Sequence, residues 1–295
     1  MSDPQMRTRS AVSPDGTRIA YHSLGSGPGL VVVGGVLSNG TDYLPLAHAL
    51  AGAFEVHLME RRGRPGSGPQ RQDHGIDDEC SDLTSVATAT GSKAVFGHSF
   101  GALVVLETAR RTSAFDEIVL YDPGVPVAGG LHPVWADEYQ RRLERGDRRG
   151  AFAWMVKTAG FAPPPVRVMP LWYVKLILRI ALRGERWTTK DRLLEANLGE
   201  HRIQQALDSP DASRFSAISA STLLLAGAKD PDLFKRHILG SLDRALANST
   251  SAVLPRLGHL APEDHPGPIA EAILHHHNHV RAATAPKRTH AKGIG

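Results

Sequence analysis

A serine hydroxyl attacks a carbonyl only when a base touches it, an acid orients that base, and N–H donors receive the developing oxyanion. One serine sits where such help could converge: Ser99 in Gly97-His98-Ser99-Phe100-Gly101, within AVFGHSFGALVVLETA. His259, preceded by glycine in LPRLGHLAPEDHP, is the candidate base. Asp230, in LLLAGAKDPDLF, is the preferred acid; Asp122 of LYDPG is the alternative, and Asp232 a nearer but weaker rival. In such a set the serine attacks a carbonyl, His259 takes and returns the proton, Asp230 stabilises the imidazolium, and water hydrolyses the acyl-enzyme. No metal or organic cofactor is implied.

These side chains are far apart in sequence, so the fold must gather them. The serine must protrude from a sharp strand–turn–helix elbow, where crowding favours small residues two positions either side. SKAVFGH (92–98) reads as the strand and GALVVLETARR (101–111) as the helix. Residues 8–33 read as a hairpin around Asp15-Gly16 leading into the β-branched run GLVVVGG, a strand covered on both faces. Further strands are expected at 54–60, 116–123, 221–230 and 251–259, and helices at about 43–52, 77–90 and 266–279. Residues 124–215 lose the strand pattern and turn helical, interrupted by Pro163, Pro164 and Pro165. Strands alternating with helices predict an α/β fold with a mostly parallel sheet. The helical stretch predicts a lid over the sheet's C-terminal edge, where ligands bind in such sheets. The expected organisation is a core of 8–123 and 216–280, a helical lid of 124–215, and a disordered tail of 281–295.

With 295 residues, 41% of them hydrophobic, the chain can bury one sizeable core. No apolar run is long enough to span a bilayer. The N-terminal MSDPQMRTRS carries no apolar h-region, and the single Cys80 forms no internal disulfide. Together these predict a cytoplasmic protein. The net charge is +4, and residues 131–202 contribute 14 Lys or Arg against 8 Asp or Glu. No nucleic-acid-binding module accompanies them, so a solvated basic surface is expected and no nucleic acid.

Other conspicuous residues have plain readings. His98 reads as a packed turn residue. His275 and His279 stand four apart in HHHNH, but no third ligand supports a metal, and a surface helix end is preferred. Arg61, Arg62 and Arg64 are expected to brace their neighbours through ion pairs. PLWYVKLILRIALRGERW (170–187) has a wide apolar face of Leu171, Trp172, Val174, Ile177, Leu178, Ala181 and Leu182, with Lys175, Arg179 and Arg183 recurring every four residues on the other face. The preferred reading is a lid helix burying that face over the pocket, so membrane contact is not expected. A basic amphipathic helix lying on a membrane is the alternative. Trp135, Phe152, Trp154, Met155 and Phe161 predict a hydrophobic pocket for a small apolar molecule.

From residue 8 to 279 the chain resembles lid-bearing members of the α/β-hydrolase fold family. GHSFG, RRGRPGSG, AGAKDPD and LGHLAPEDHP are each similar to family motifs, in the family's order. The resemblance implies a roughly eight-stranded sheet with a helical cap after strand six. It also implies oxyanion donors at the backbone N–H groups of Phe100 and Val36. Relatives commonly carry His-Gly where this chain has Gly34-Gly35, a departure that bears on loop rigidity. Family members that open epoxides or displace halide use aspartate at the elbow, so Ser99 points to acyl transfer. The leading expectation is a serine hydrolase of small or medium apolar esters or related carbonyl compounds. The alternatives are a cofactor-free perhydrolase or C–C hydrolase in the same site, and a non-catalytic ligand-binding protein on the same scaffold.

Overall fold

A computed structural model describes residues 5–127, 135–158, 164–229 and 237–284. β1 (Arg7–Val12) and β2 (Arg18–Gly25) form the antiparallel hairpin. Its turn holds Gly16 at φ 85°, and the Asp15 carboxylate accepts the Thr17 N–H at 2.9 Å. β3 (Gly29–Val33), α1 (Leu44–Leu50), β4 (Glu55–Met59), α2 (Ile76–Thr90), β5 (Ala94–His98), α3 (Phe100–Ala109) and β6 (Glu117–Tyr121) follow. Next come α4 (Ala136–Glu144), α5 (Arg148–Thr158), α6 (Pro164–Val168), α7 (Leu171–Ala181), α8 (Glu185–Arg192) and α9 (Leu194–Ala206). The chain then returns through β7 (Ser221–Gly227), α10 (Leu239–Ala245), β8 (Ser249–Leu254), α11 (Ala261–Asp264) and α12 (Gly267–Thr284).

The eight strands lie in the order β1-β2-β4-β3-β5-β6-β7-β8. Only the pairings made by β2 are antiparallel. Side chains alternate across a strand, so one apolar run supplies two cores. Val31 and Val33 join α2 and α3 on one face. Leu30 and Val32 join α1 and α12 on the other. A third cluster, with Trp135, Tyr139, Phe152 and Leu194, lies in the helical segment between β6 and β7 and takes in Leu37 from the loop after β3. That contact, a hydrogen bond from Lys190 to the Leu37 carbonyl and one from Gln204 to the Gly124 carbonyl seat the segment against loops at the strands' C-terminal ends.

Two expectations need correction and one needs detail. The last helix runs on to Thr284, into the stretch expected as a tail, because Ile269, Ala270 and Ile273 anchor it on the sheet; residues 285–295 lie outside those described. His275 and His279 are exposed, as a surface helix end requires, while His276 and His277 between them are buried. His277 Nδ1 is 2.7 Å from a Glu117 oxygen at the start of β6. Finally, α7 buries Val174 but leaves Trp172 68% exposed and Ile180 55% exposed, so its apolar face is not spent on a pocket. Among the described residues no helix is long and apolar enough to cross a membrane.

Candidate active site

Ser99 sits between β5 and α3 at φ 54°, ψ −119°, a conformation that a serine adopts only under constraint. The constraint is visible. The Ser99 N–H donates to the Tyr121 carbonyl at 3.1 Å, and its carbonyl accepts the N–H groups of Gly124 (2.8 Å) and Ala102 (3.1 Å). Both elbow glycines are obligatory: a Cβ on Gly97 would lie 2.7 Å from Ala102 Cα, and one on Gly101 2.2 Å from the Val33 carbonyl oxygen. The elbow leaves Ser99 8% exposed.

His259 lies between β8 and α11 with its Nε2 3.2 Å from Ser99 Oγ and its Nδ1 3.2 Å from Asp122 Oδ2. A neutral imidazole bearing its proton on Nδ1 donates to that carboxylate and accepts the serine hydroxyl. Asp122, beyond the end of β6, is fully buried. It is fixed by its own N–H to the Leu225 carbonyl (2.9 Å) and by the Gly227 N–H to its Oδ1 (3.1 Å). Asp230 and Asp232 lie outside the described residues, as does Phe161. Thus Ser99, His259 and the alternative acid Asp122 stand in one line. The aromatic and apolar residues expected to line a pocket, Trp135, Phe152, Trp154 and Met155, pack against one another within the helical segment.

The Gly34-Gly35 loop passes directly beside the elbow; a Cβ on Gly35 would come 3.0 Å from Ser99 Cβ. A side chain at Gly34 would meet the Tyr43 ring at 2.7 Å. That ring stands where other residue types would intrude, and its hydroxyl accepts the Gly35 N–H at 3.0 Å. The same hydroxyl lies 2.6 Å from His98 Nδ1. Sequence reasoning missed Tyr43; the signal was the glycine at position 34, which leaves room for a large neighbour. Phe100 opens α3, where an N–H has no intrahelical partner. Among the described residues no hydrogen-bond acceptor takes the Val36 N–H either. Phe100 follows Ser99 directly, and Val36 follows Gly35, whose backbone passes beside Ser99.

Behind this loop lies a dry ion cluster. Arg61, 2% exposed, donates to the carbonyls of Gly34 (3.2 Å) and Gly35 (2.9 Å). It pairs with Glu79 on α2 (2.9 Å) and Glu200 on α9 (3.1 Å), and lies 4.9 Å from the Phe100 ring centroid. Arg64 also pairs with Glu200, while Arg62 forks onto Asp82 at 2.7 and 2.8 Å. Burial pushes the Glu79 carboxyl up, but Arg61 and His74 outweigh it and hold it at about 2. Burial likewise opposes, and Arg61 and Arg64 overcome, the ionisation of Glu200, which falls below its usual range. Arg61 itself loses by burial and gains more from the two glutamates. The arginines therefore hold the loop by ion pairs, away from solvent.

His98 is neutral. Burial holds it well below the usual imidazole range, and the neighbouring His259, with rings 4.8 Å apart, adds to the shift. Burial also lowers His57, His201 and His276. For a depressed imidazole neither state holds the proton above about pH 6.5, whereas below it only the unfolded chain does. Stability is therefore expected to fall on acidification from pH 6.5 to 5, with His98 alone contributing up to about 1.4 kcal/mol per pH unit. Urea midpoints across that range check this, and His98→Gln should flatten the slope whatever it does to absolute stability. A wild-type midpoint constant over the range rules the idea out.

Among the described residues no group of three or more His, Cys, Asp or Glu is placed to hold a metal ion. Cys80 is buried, and burial pushes its thiol up to about 11, which makes it a poor nucleophile.

The sequence profile of the alpha/beta hydrolase family matches residues 30–272. N-formylmaleamate deformylase of Pseudomonas putida is 33% identical over 124 residues, 40% of this chain and 45% of that protein, so the match spans under half of its length. RutD of Enterobacter cloacae, assigned as a carbamate hydrolase, is 27% identical over 79% of this chain and 84% of its own. Among solved structures, an alpha/beta hydrolase from Sphaerobacter thermophilus superposes with a TM-score of 0.75 and 27% identity, covering 90% of this chain and all of that one.

Proposed function

The chain belongs to the alpha/beta hydrolase family, and from that premise we propose that it is a serine hydrolase of small or medium acyl compounds. The observation that carries this reading is the line from Ser99 Oγ through His259 to Asp122, with both gaps 3.2 Å. In the proposed cycle His259 takes the Ser99 proton as the oxygen adds to a carbonyl. Asp122 steadies the imidazolium, and the N–H groups of Phe100 and Val36 receive the oxyanion. The imidazolium then protonates the leaving group, and a water activated by the same histidine releases the acid. The helical segment between β6 and β7 acts as the lid.

The leading reading of the substrate is an apolar ester. A second reading is hydrolysis of a carbonyl–nitrogen bond, favoured by the names of two relatives, a deformylase and a carbamate hydrolase. The two readings share the acyl-enzyme and differ in the leaving group. The test is a fluorophosphonate probe followed by mass spectrometry, alongside turnover of p-nitrophenyl esters, N-formyl amides and carbamates of matched size. The expected adduct is on the peptide containing Ser99. A folded protein that neither labels there nor turns over any of the panel would make this scaffold a ligand binder instead.

A further inference from the structure

We propose that α7 is a docking surface for an anionic lipid–water interface. Its exposed side carries Trp172, Leu176 and Ile180 at successive turns, with Tyr173 and Ile177 beside them; all five are 40–68% exposed. Only Val174 is buried, while Leu178 packs on the cluster that includes Leu37. The helix is therefore attached by one edge and presents a contiguous apolar strip outward. Strips of this kind on otherwise polar proteins mark contact surfaces.

Charge identifies the occupant. From Arg148 to Gly184 the chain has seven Lys or Arg and no Asp or Glu. Lys175 pairs with Asp147. Arg179 lies on the exposed side instead, next to Trp172 and Leu176 on a helical projection; Arg183, just past the helix end, is exposed as well, and neither pairs with a carboxylate among the described residues. A second copy would meet this face by its own two-fold image and set Arg179 and Arg183 against themselves. An anionic bilayer surface takes both features at once. Trp and Tyr settle at the headgroup level, aliphatic side chains enter the acyl boundary, and the guanidinium groups meet lipid phosphates. Docking this way would hold the helical segment at the interface, where apolar acyl compounds concentrate. The proposal does not depend on the catalytic assignment, and its test reads binding rather than turnover.

The full chain is sedimented with vesicles of phosphatidylcholine alone and of phosphatidylcholine with 30% phosphatidylserine. Binding to the mixed vesicles is expected, with little to the neutral ones. It should fall about fivefold for each cation removed in Arg179→Gln and Arg183→Gln, and be lost in Trp172→Ser/Ile180→Ser. Circular dichroism and melting verify that each variant is folded. The intrinsic fluorescence of the wild type should shift to the blue on vesicle addition, and that of Trp172→Phe should not. Three results overturn the proposal: no sedimentation of the folded wild type, equal sedimentation with neutral vesicles, or a concentration-dependent dimer abolished by these substitutions.

Discussion

Ser99→Ala will leave a folded protein whose kcat on any substrate that the wild type turns over has fallen by roughly 10^6-fold. His259→Ala will cost about as much, and the double variant no more than either. This follows from the geometry. One proton moves from Ser99 Oγ to a nitrogen 3.2 Å away, so removing either end removes the same step. Asp122→Asn acts differently. It keeps the shape but replaces the charge that holds the proton on His259 Nδ1, and a cost near 10^4 is expected. Single-turnover rates with a p-nitrophenyl ester, measured on all four proteins, decide the matter. Multiplicative losses in the double variant, or a Ser99→Ala enzyme that keeps more than about 1% of its rate, would remove Ser99 from the mechanism. Asp230→Asn completes the set: Asp122→Asn is expected to be the more damaging, and the reverse order transfers the orienting role to Asp230.

The elements that carry Ser99 and His259 were legible because each has a local signature. A β-branched run, a small-residue turn and an apolar helix cannot be arranged in many other ways, and the elbow glycines are demanded by backbone contacts as short as 2.2 Å. The acid was harder for a physical reason. Asp122 and Asp230 follow the ends of β6 and β7, which are neighbours in the sheet, so strand order alone lets a carboxylate from either end approach one imidazole. The support behind the loop was hard to see as well. Tyr43, His98 and Gly35 form one hydrogen-bonded set across 63 residues of sequence, and the glycine at position 34 is its one local trace. On α7 periodicity revealed an apolar face but set Arg179 opposite it, whereas Arg179 lies beside the exposed strip of Trp172, Leu176 and Ile180. It could not reveal that the face looks outward, because that depends on which edge the neighbouring helices cover.

Arg61→Met should be the most destabilising exchange in the molecule away from the sheet's apolar cores, at about 3–5 kcal/mol. Methionine restores much of the volume, so the loss is electrostatic. Glu79 and Glu200, both without solvent exposure, would keep their desolvation penalty and lose a cation that offsets it, with His74 left to Glu79 and Arg64 to Glu200. The sign of the pH dependence is diagnostic. In the wild type Arg61 helps to hold both carboxyls below their usual range, so their stabilisation is present above about pH 4.5 and is lost only as the pH falls towards 2. Without Arg61 burial prevails and the carboxyls rise, so the variant recovers stability by taking up protons as the pH falls. The gap between wild type and variant should therefore narrow between pH 8 and pH 5. Arg61→Met/Glu200→Gln should lose less than Arg61→Met alone, since the second change removes a stranded charge. Activity should fall with stability. The same guanidinium donates to the Gly35 carbonyl, the other end of the peptide unit that bears the Val36 N–H, and it lies beside the Phe100 ring. With that donor gone, the loop keeps its glycines but loses the charge that fixes the peptide whose N–H is proposed to receive the oxyanion. A fall in kcat with KM little changed is the expected signature, and equilibrium unfolding beside steady-state kinetics measures both halves. A gap that stays constant or widens on acidification would mean that the cluster is not what holds this loop.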